Sequence, residues 1–325
     1  MFEILKRVYR CDPLPWTLLY VAVILLLTSH FLIWPLSCSE GIAGLFGPLP
    51  ILSRHPYGTL LSIAIVILIP FRARSLLDST GILDYQNRSS LYPLALFSAT
   101  ALLSCQSLSW LIVLILLLLL YAQVIGLKEG DSLAAAAFKA GLIISLCSLL
   151  SPIMFGLLLF VWPGFSILRT LNWKCIIWTL VGIALPLYLY TSLQYIITGQ
   201  LVMYEYDHMF LTETSTGSSG SGLLTTIYIF VQLSVSSLLL IRTIRQTRKG
   251  IVRKRKILRI SILLLGVTLL LSLALFQLAD ARPGLVLMGL PLSFLFLELL
   301  KSDASRVDSL LFMVWLITTF VFLWI

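Results

Sequence analysis

Apolar runs separated by short polar breaks fill most of the chain. A helix crossing the hydrocarbon core of a bilayer needs about 20 apolar residues, and about 17 suffice in the shortest cases. Runs meeting or approaching that length lie at 17–36, 57–71, 91–105, 107–126, 134–150, 153–168, 173–196, 222–241, 257–278, 283–300 and 307–325. This pattern predicts an all-α, polytopic transmembrane helical bundle of about 11 spans forming a single integral membrane domain over residues 1–325.

The stretch 134–168 reads either as one long helix or as two short ones meeting at Ser151-Pro152. Charge decides between them. The segment RTIRQTRKGIVRKRK (242–256) carries eight Lys or Arg and no acid, which places it on the cytoplasmic side. Lys6, Arg7 and Arg10 place the N-terminus there as well. Both assignments hold only if an even number of spans precedes Arg242, so 134–168 is expected to split. The chain then begins inside and ends outside. Its outer segments fall at 37–56, near Cys105-Gln106, at Ser151-Pro152, at 197–221 and at 279–282.

Composition agrees with the pattern. The chain is 59% hydrophobic and 11% charged, with mean hydropathy +1.01, whereas soluble domains carry about 25% charged residues. A net charge of +9 on such a chain marks cytoplasmic ends, and no nucleic-acid partner is expected. The same basic segment attracts anionic membrane lipid, and topology anchoring is a sufficient account of it. Cys11, Cys38, Cys105, Cys147 and Cys175 are scattered without a C-x-x-C pair or a histidine at ligand spacing, so neither a metal site, a disulfide framework nor a cofactor is indicated. The first apolar run lacks a small-residue cleavage motif and is expected to be a retained helix. Trp16, Trp34, Trp162, Trp173 and Trp324 fall near predicted span ends, as an interfacial aromatic belt requires.

Candidate chemistry is confined to the outer segments. Glu40, Glu205, Asp207, Glu213 and Asp280 face outward, and solubility alone accounts for Glu213 and Asp280. The stretch MYEYDHMF (203–210) sets Glu205, Asp207 and His208 among aromatics, as a segment packed against the bundle would. A carboxylate here can serve as general base toward a hydroxyl acceptor, while Arg54, His55, His208 or Arg282 holds a phosphate. Residues 201–221 form the outer loop containing this stretch, its Ser/Gly-rich part at 214–222 reads as a linker, and four spans follow over 222–325. A transporter would depend instead on interior polar residues such as Ser145, Ser151 or Gln194.

An interfacial outer segment after span one, a short helix pair meeting at Pro152, a seventh span and then a long outer loop form an order that resembles the membrane glycosyltransferases of the C fold. That resemblance covers residues 1–240, with 1–200 as the C-fold-like module. It implies a polyprenyl-phosphate-linked sugar as donor, catalysis at the outer face, Glu40 as the catalytic acid of the first outer loop, and Glu205 or Asp207 in the loop after span seven. Glu40 stands alone where that superfamily often has an acidic pair. Residues 60–200 also look like part of a Bacteroidota family of integral membrane proteins with no established function, the match carried by Asn172, Trp173 and Pro186. Together the resemblances imply a multi-pass protein of the bacterial inner membrane engaged in envelope biogenesis. A non-catalytic scaffold or accessory subunit is the alternative, followed by a lipid or small-molecule transporter.

Overall fold

The computed structural model describes residues 108–127, 132–168, 170–198, 221–247, 252–278 and 281–301, with single helical residues between 64 and 75 and between 310 and 318. Seven α-helices make up the described part: α1 (Leu108–Ile125), α2 (Leu133–Leu150), α3 (Leu158–Ile167), α4 (Trp173–Thr198), α5 (Ser221–Thr247), α6 (Val252–Leu278) and α7 (Ala281–Lys301). A 3-10 helix over Pro152–Leu157 leads into α3. Helices α2 and α4, and α6 over Arg255–Leu275, are long and apolar enough to cross a membrane. The described part of the chain is all-helical, and the length and composition of these three helices suit a membrane protein.

The expected division of 134–168 is present, and proline causes it. A residue before proline is driven out of the α region by clash with the ring, and Ser151 is extended at φ −153°, ψ 118°. Helix α2 ends there, with the Ser151 N–H still donating to the Cys147 carbonyl at 2.9 Å. Pro152 takes the first position of the next helix, where its missing N–H has no cost. Six residues at the 3-10 rise and ten at the α rise carry 152–167 across about 27 Å, nearly the thickness of the hydrocarbon core.

Helix α1 is central: from Trp110 to Ile125 only Leu119 is exposed. Around it pack α2, α3 and α7, while α6 bridges α3, the 3-10 helix, α5 and α7. Short helical pieces complete the core, with Ile69 and Ala73 buried one turn apart and Leu311 and Trp315 buried one turn apart. Helix α4 differs. Its most extensive packing is on α2, and it buries one stripe, Cys175, Thr179, Gly182, Ile183 and Pro186. Most of the remainder is apolar and exposed, including Tyr188 and Ile196. A face of that composition is stable against lipid tails, and exposed Trp173 at the start of α4 and exposed Tyr195 near its end stand about 33 Å apart along the helix.

Contact pairs fix which helix ends share a level. Val124 lies beside Gly164, so the end of α1 meets the end of α3. Tyr121 reaches Ser261 near the start of α6 and stacks on Phe294 in the later half of α7. On the opposite side, Gly156 abuts Leu271 and Gly284 abuts Ser272, bringing together the 3-10 helix, the end of α6 and the start of α7.

Several boundaries are corrected. The basic segment 242–256 is not a loop: α5 continues to Thr247 and α6 begins at Val252, leaving four residues between them. Arg and Lys are good helix formers, so the helices run beyond the apolar spans. Likewise α7 begins at Ala281, which makes Arg282 its second residue and not part of a turn at 279–282. Ser221 and Gly222, read as the end of a flexible linker, open α5. Trp162 packs on the core with its indole nitrogen buried and without an acceptor.

Candidate functional site

Interior polar groups in a bilayer need partners from the protein itself. Most buried hydroxyls here find one on their own helix. Thr179, Ser236, Thr243 and Ser261 donate to the carbonyls of Cys175, Gln232, Leu239 and Ile257, each four residues back. Thr268 and Ser293 donate three residues back, to Leu265 and Leu290. Ser272 contacts two acceptors, the carbonyls of Thr268 and Gly284, both at 2.6 Å, and so joins α6 to α7. The Tyr121 hydroxyl and Ser261 Oγ are 2.5 Å apart and join α1 to α6.

Two buried hydroxyls break this habit, and both belong to the end of α2. Ser145 and Ser151 are 0% and 1% exposed, and neither Oγ has a hydrogen-bond partner. Between them, Ser148 donates to the Ser145 carbonyl at 2.7 Å. An unpaired buried hydroxyl costs about 1–3 kcal/mol. They stand six residues apart, Ser145 inside α2 and Ser151 at its break, as polar groups without a hydrogen-bond partner. Among the described residues no carboxylate or histidine accompanies them, so these hydroxyls have no general base beside them there.

The described helices contain a single carboxylic acid position, Glu298, in the last turn of α7. Glu40, Arg54, His55, Glu205, Asp207 and His208 lie outside the described residues. Arg282 is placed by its backbone alone, in the first turn of α7. Arg282 is thus the one of the seven outer-face candidates that falls among the described residues. Of the interior residues named for a transporter, Ser145 and Ser151 are buried and Gln194 is half-buried on α4. Gln232, 2% exposed on α5, escaped the sequence reading, because one glutamine within IFVQLSV leaves no pattern to detect. Cys147 and Cys175 are buried free thiols, in keeping with a packing role. Among the described residues no cluster of His, Cys, Asp or Glu can hold a metal.

Comparison of the chain with protein-family models, with curated proteins and with solved structures finds no match.

Proposed function

We propose that this is a bacterial inner-membrane protein of about eleven spans with a C-fold-like arrangement, which transfers a sugar from a polyprenyl-phosphate donor to an acceptor at the outer face. Glu40 is the leading general base, Glu205 or Asp207 the second, and Arg54, His55, His208 and Arg282 hold the phosphate. The observation that carries the reading is the partition of acids. Of 14 Asp and Glu in the chain, Glu298 alone falls within the described helices. Coupling transport to protons or sodium normally uses a carboxylate inside the bundle, and the described bundle offers none in its middle. Acid chemistry in this chain belongs to the segments outside those helices.

The test is a mass-spectrometric profile of polyprenyl-phosphate lipids in cells lacking the gene, complemented with wild type or with Glu40→Ala, Glu205→Ala and Asp207→Ala. Accumulation of a sugar-loaded lipid that wild type clears and the variants do not supports the transferase. An unchanged profile removes it.

A second reading, passage of a lipid or small polar molecule, is favoured by the unpartnered Ser145 and Ser151 hydroxyls at the helix break. Under this reading Ser145→Ala and Ser151→Ala abolish function, and the outer acids are dispensable.

A further inference from the structure

The start of α6 carries a concentration of positive charge, with Arg255, Lys256 and Arg259 within five residues of one another. The apolar stretch of α6 covers Arg255–Leu275, 21 residues, and at the α-helical rise this spans about 31 Å, the thickness of a hydrocarbon core. Arg255 therefore stands at the level where hydrocarbon gives way to headgroups. Arg259 is one turn deeper on the same face, exposed, and able to extend its guanidinium back toward that level. Lys256 is beside them, half-buried.

Local order makes this more than diffuse charge. Ile257, Leu258 and Ile260 are buried around the two arginines, and on α5 Thr243 is fully buried next to half-buried Arg242. The backbones that carry the guanidiniums are thus fixed by packing. Four residues join α5 to α6, which keeps Arg242 and Arg255 within the same end of the bundle. The Nε of Arg255 is buried without a hydrogen-bond partner. Like charges at i and i+4 repel, and no Asp or Glu occurs at three or four residues to either side of Arg255 or Arg259. Positive side chains in the first turn of α6 also oppose the helix dipole. The repulsion between the arginines and their opposition to the helix dipole are relieved by one kind of occupant, a phosphate oxyanion fixed at the membrane surface.

We propose that Arg255 and Arg259, with Lys256 and Arg242 beside them, form a discrete binding site for the headgroup of an anionic phospholipid at the basic end of the α5–α6 pair. Guanidinium forks suit phosphate because they donate two parallel hydrogen bonds. The lipid's tails lie along the apolar part of α6, where Leu270 and Leu273 are exposed further along the helix.

The experiment uses the full chain in a neutral detergent, titrated with mixed micelles of phosphatidylglycerol or phosphatidylcholine, with native mass spectrometry counting retained lipids. Saturable retention of phosphatidylglycerol over phosphatidylcholine is expected, weakened about tenfold in the R255Q/R259Q double variant. R259Q alone changes an exposed side chain, leaves packing untouched, and is expected to weaken retention about threefold. Inorganic phosphate at matched concentration is expected not to compete, because the lipid is held by its tails as well as its headgroup. Equal retention of the two lipids, unchanged retention in both variants, or full displacement by inorganic phosphate overturns the proposal.

Discussion

Gly141 of α2 faces the carbonyl of Thr179 on α4 with no room for a side chain between the two backbones. The relation is reciprocal, since a Cβ on Gly182 of α4 would run into the Phe138 carbonyl of α2. Phe138 and Trp178 close one flank edge to face, with ring centroids 6.4 Å apart. Helices in lipid gain little from apolar burial against one another, and close backbone approach through small residues supplies the attraction instead. This contact explains how α4 stays attached while most of its surface is exposed.

Gly141→Ala is therefore expected to push α4 off α2 and to cost about 1–3 kcal/mol, the usual penalty of overpacking a close contact. Gly266 on α6 is the internal control. No heavy atom lies within 4 Å of its would-be Cβ, so Gly266→Ala should be neutral or stabilise by up to about 1 kcal/mol through helix propensity. Thermal unfolding in detergent reads both. A Gly141→Ala protein that melts with wild type removes the close-packing account.

Tyr121 makes two separable contributions. Its ring stacks on Phe294 at 4.8 Å and its hydroxyl meets Ser261. In Tyr121→Phe the stack survives and Ser261 keeps its bond to the Ile257 carbonyl, so the loss should be about 0.6–1.7 kcal/mol, the range for one interhelical hydrogen bond in a membrane. Tyr121→Ala should cost about 3–5 kcal/mol, because a fully buried aromatic leaves a cavity. Equal destabilisation by the two changes would contradict this division.

Serine-to-alanine changes should separate two kinds of interior hydroxyl. Ser272 bridges α6 and α7 through the Gly284 carbonyl, and Ser272→Ala should lower stability by about 0.6–1.7 kcal/mol. Ser145→Ala and Ser151→Ala remove groups that have no partner, so stability should hold or rise by up to about 1–3 kcal/mol. Destabilisation by Ser145→Ala as large as by Ser272→Ala would mean that its hydroxyl is bonded in the folded protein.

These contacts mark where sequence reading stops. The existence of the helices was legible because apolar runs of that length have one stable form in lipid. The break at Ser151 was legible because Pro152 acts locally. The ends of α5 and α6 were not, since hydropathy reports where the membrane stops and Arg242–Thr247 continue a helix past that point. Partners such as Tyr121 and Ser261, 140 residues apart, leave no local trace. Ser145 and Ser151 were recognised as interior polar residues, yet only the fold reveals that neighbouring hydroxyls are satisfied and these two are not. The outer acids were found by type and by predicted side alone, and they lie beyond the described helices.

Sidedness can be tested from the contact pairs. Val124 meets Gly164 and Tyr121 meets Ser261, so the end of α1, the end of α3 and the start of α6 share one side. Gly156 with Leu271 and Gly284 with Ser272 place the 3-10 helix and the α6–α7 junction on the other. Single cysteines introduced by Leu127→Cys, Lys249→Cys and Asp280→Cys, with the five native cysteines replaced, should divide accordingly when intact cells meet a membrane-impermeant thiol reagent. The positive-inside rule adds the direction: positions 127 and 249 stay protected until the membrane is opened, whereas 280 reacts at once. Reaction at 127 but not at 249 would break the alignment of helix ends. Reaction at both, with 280 protected, would keep the fold but invert it, and the acids at 205 and 207 would then face the cytoplasm, where an outer-face transferase has no use for them.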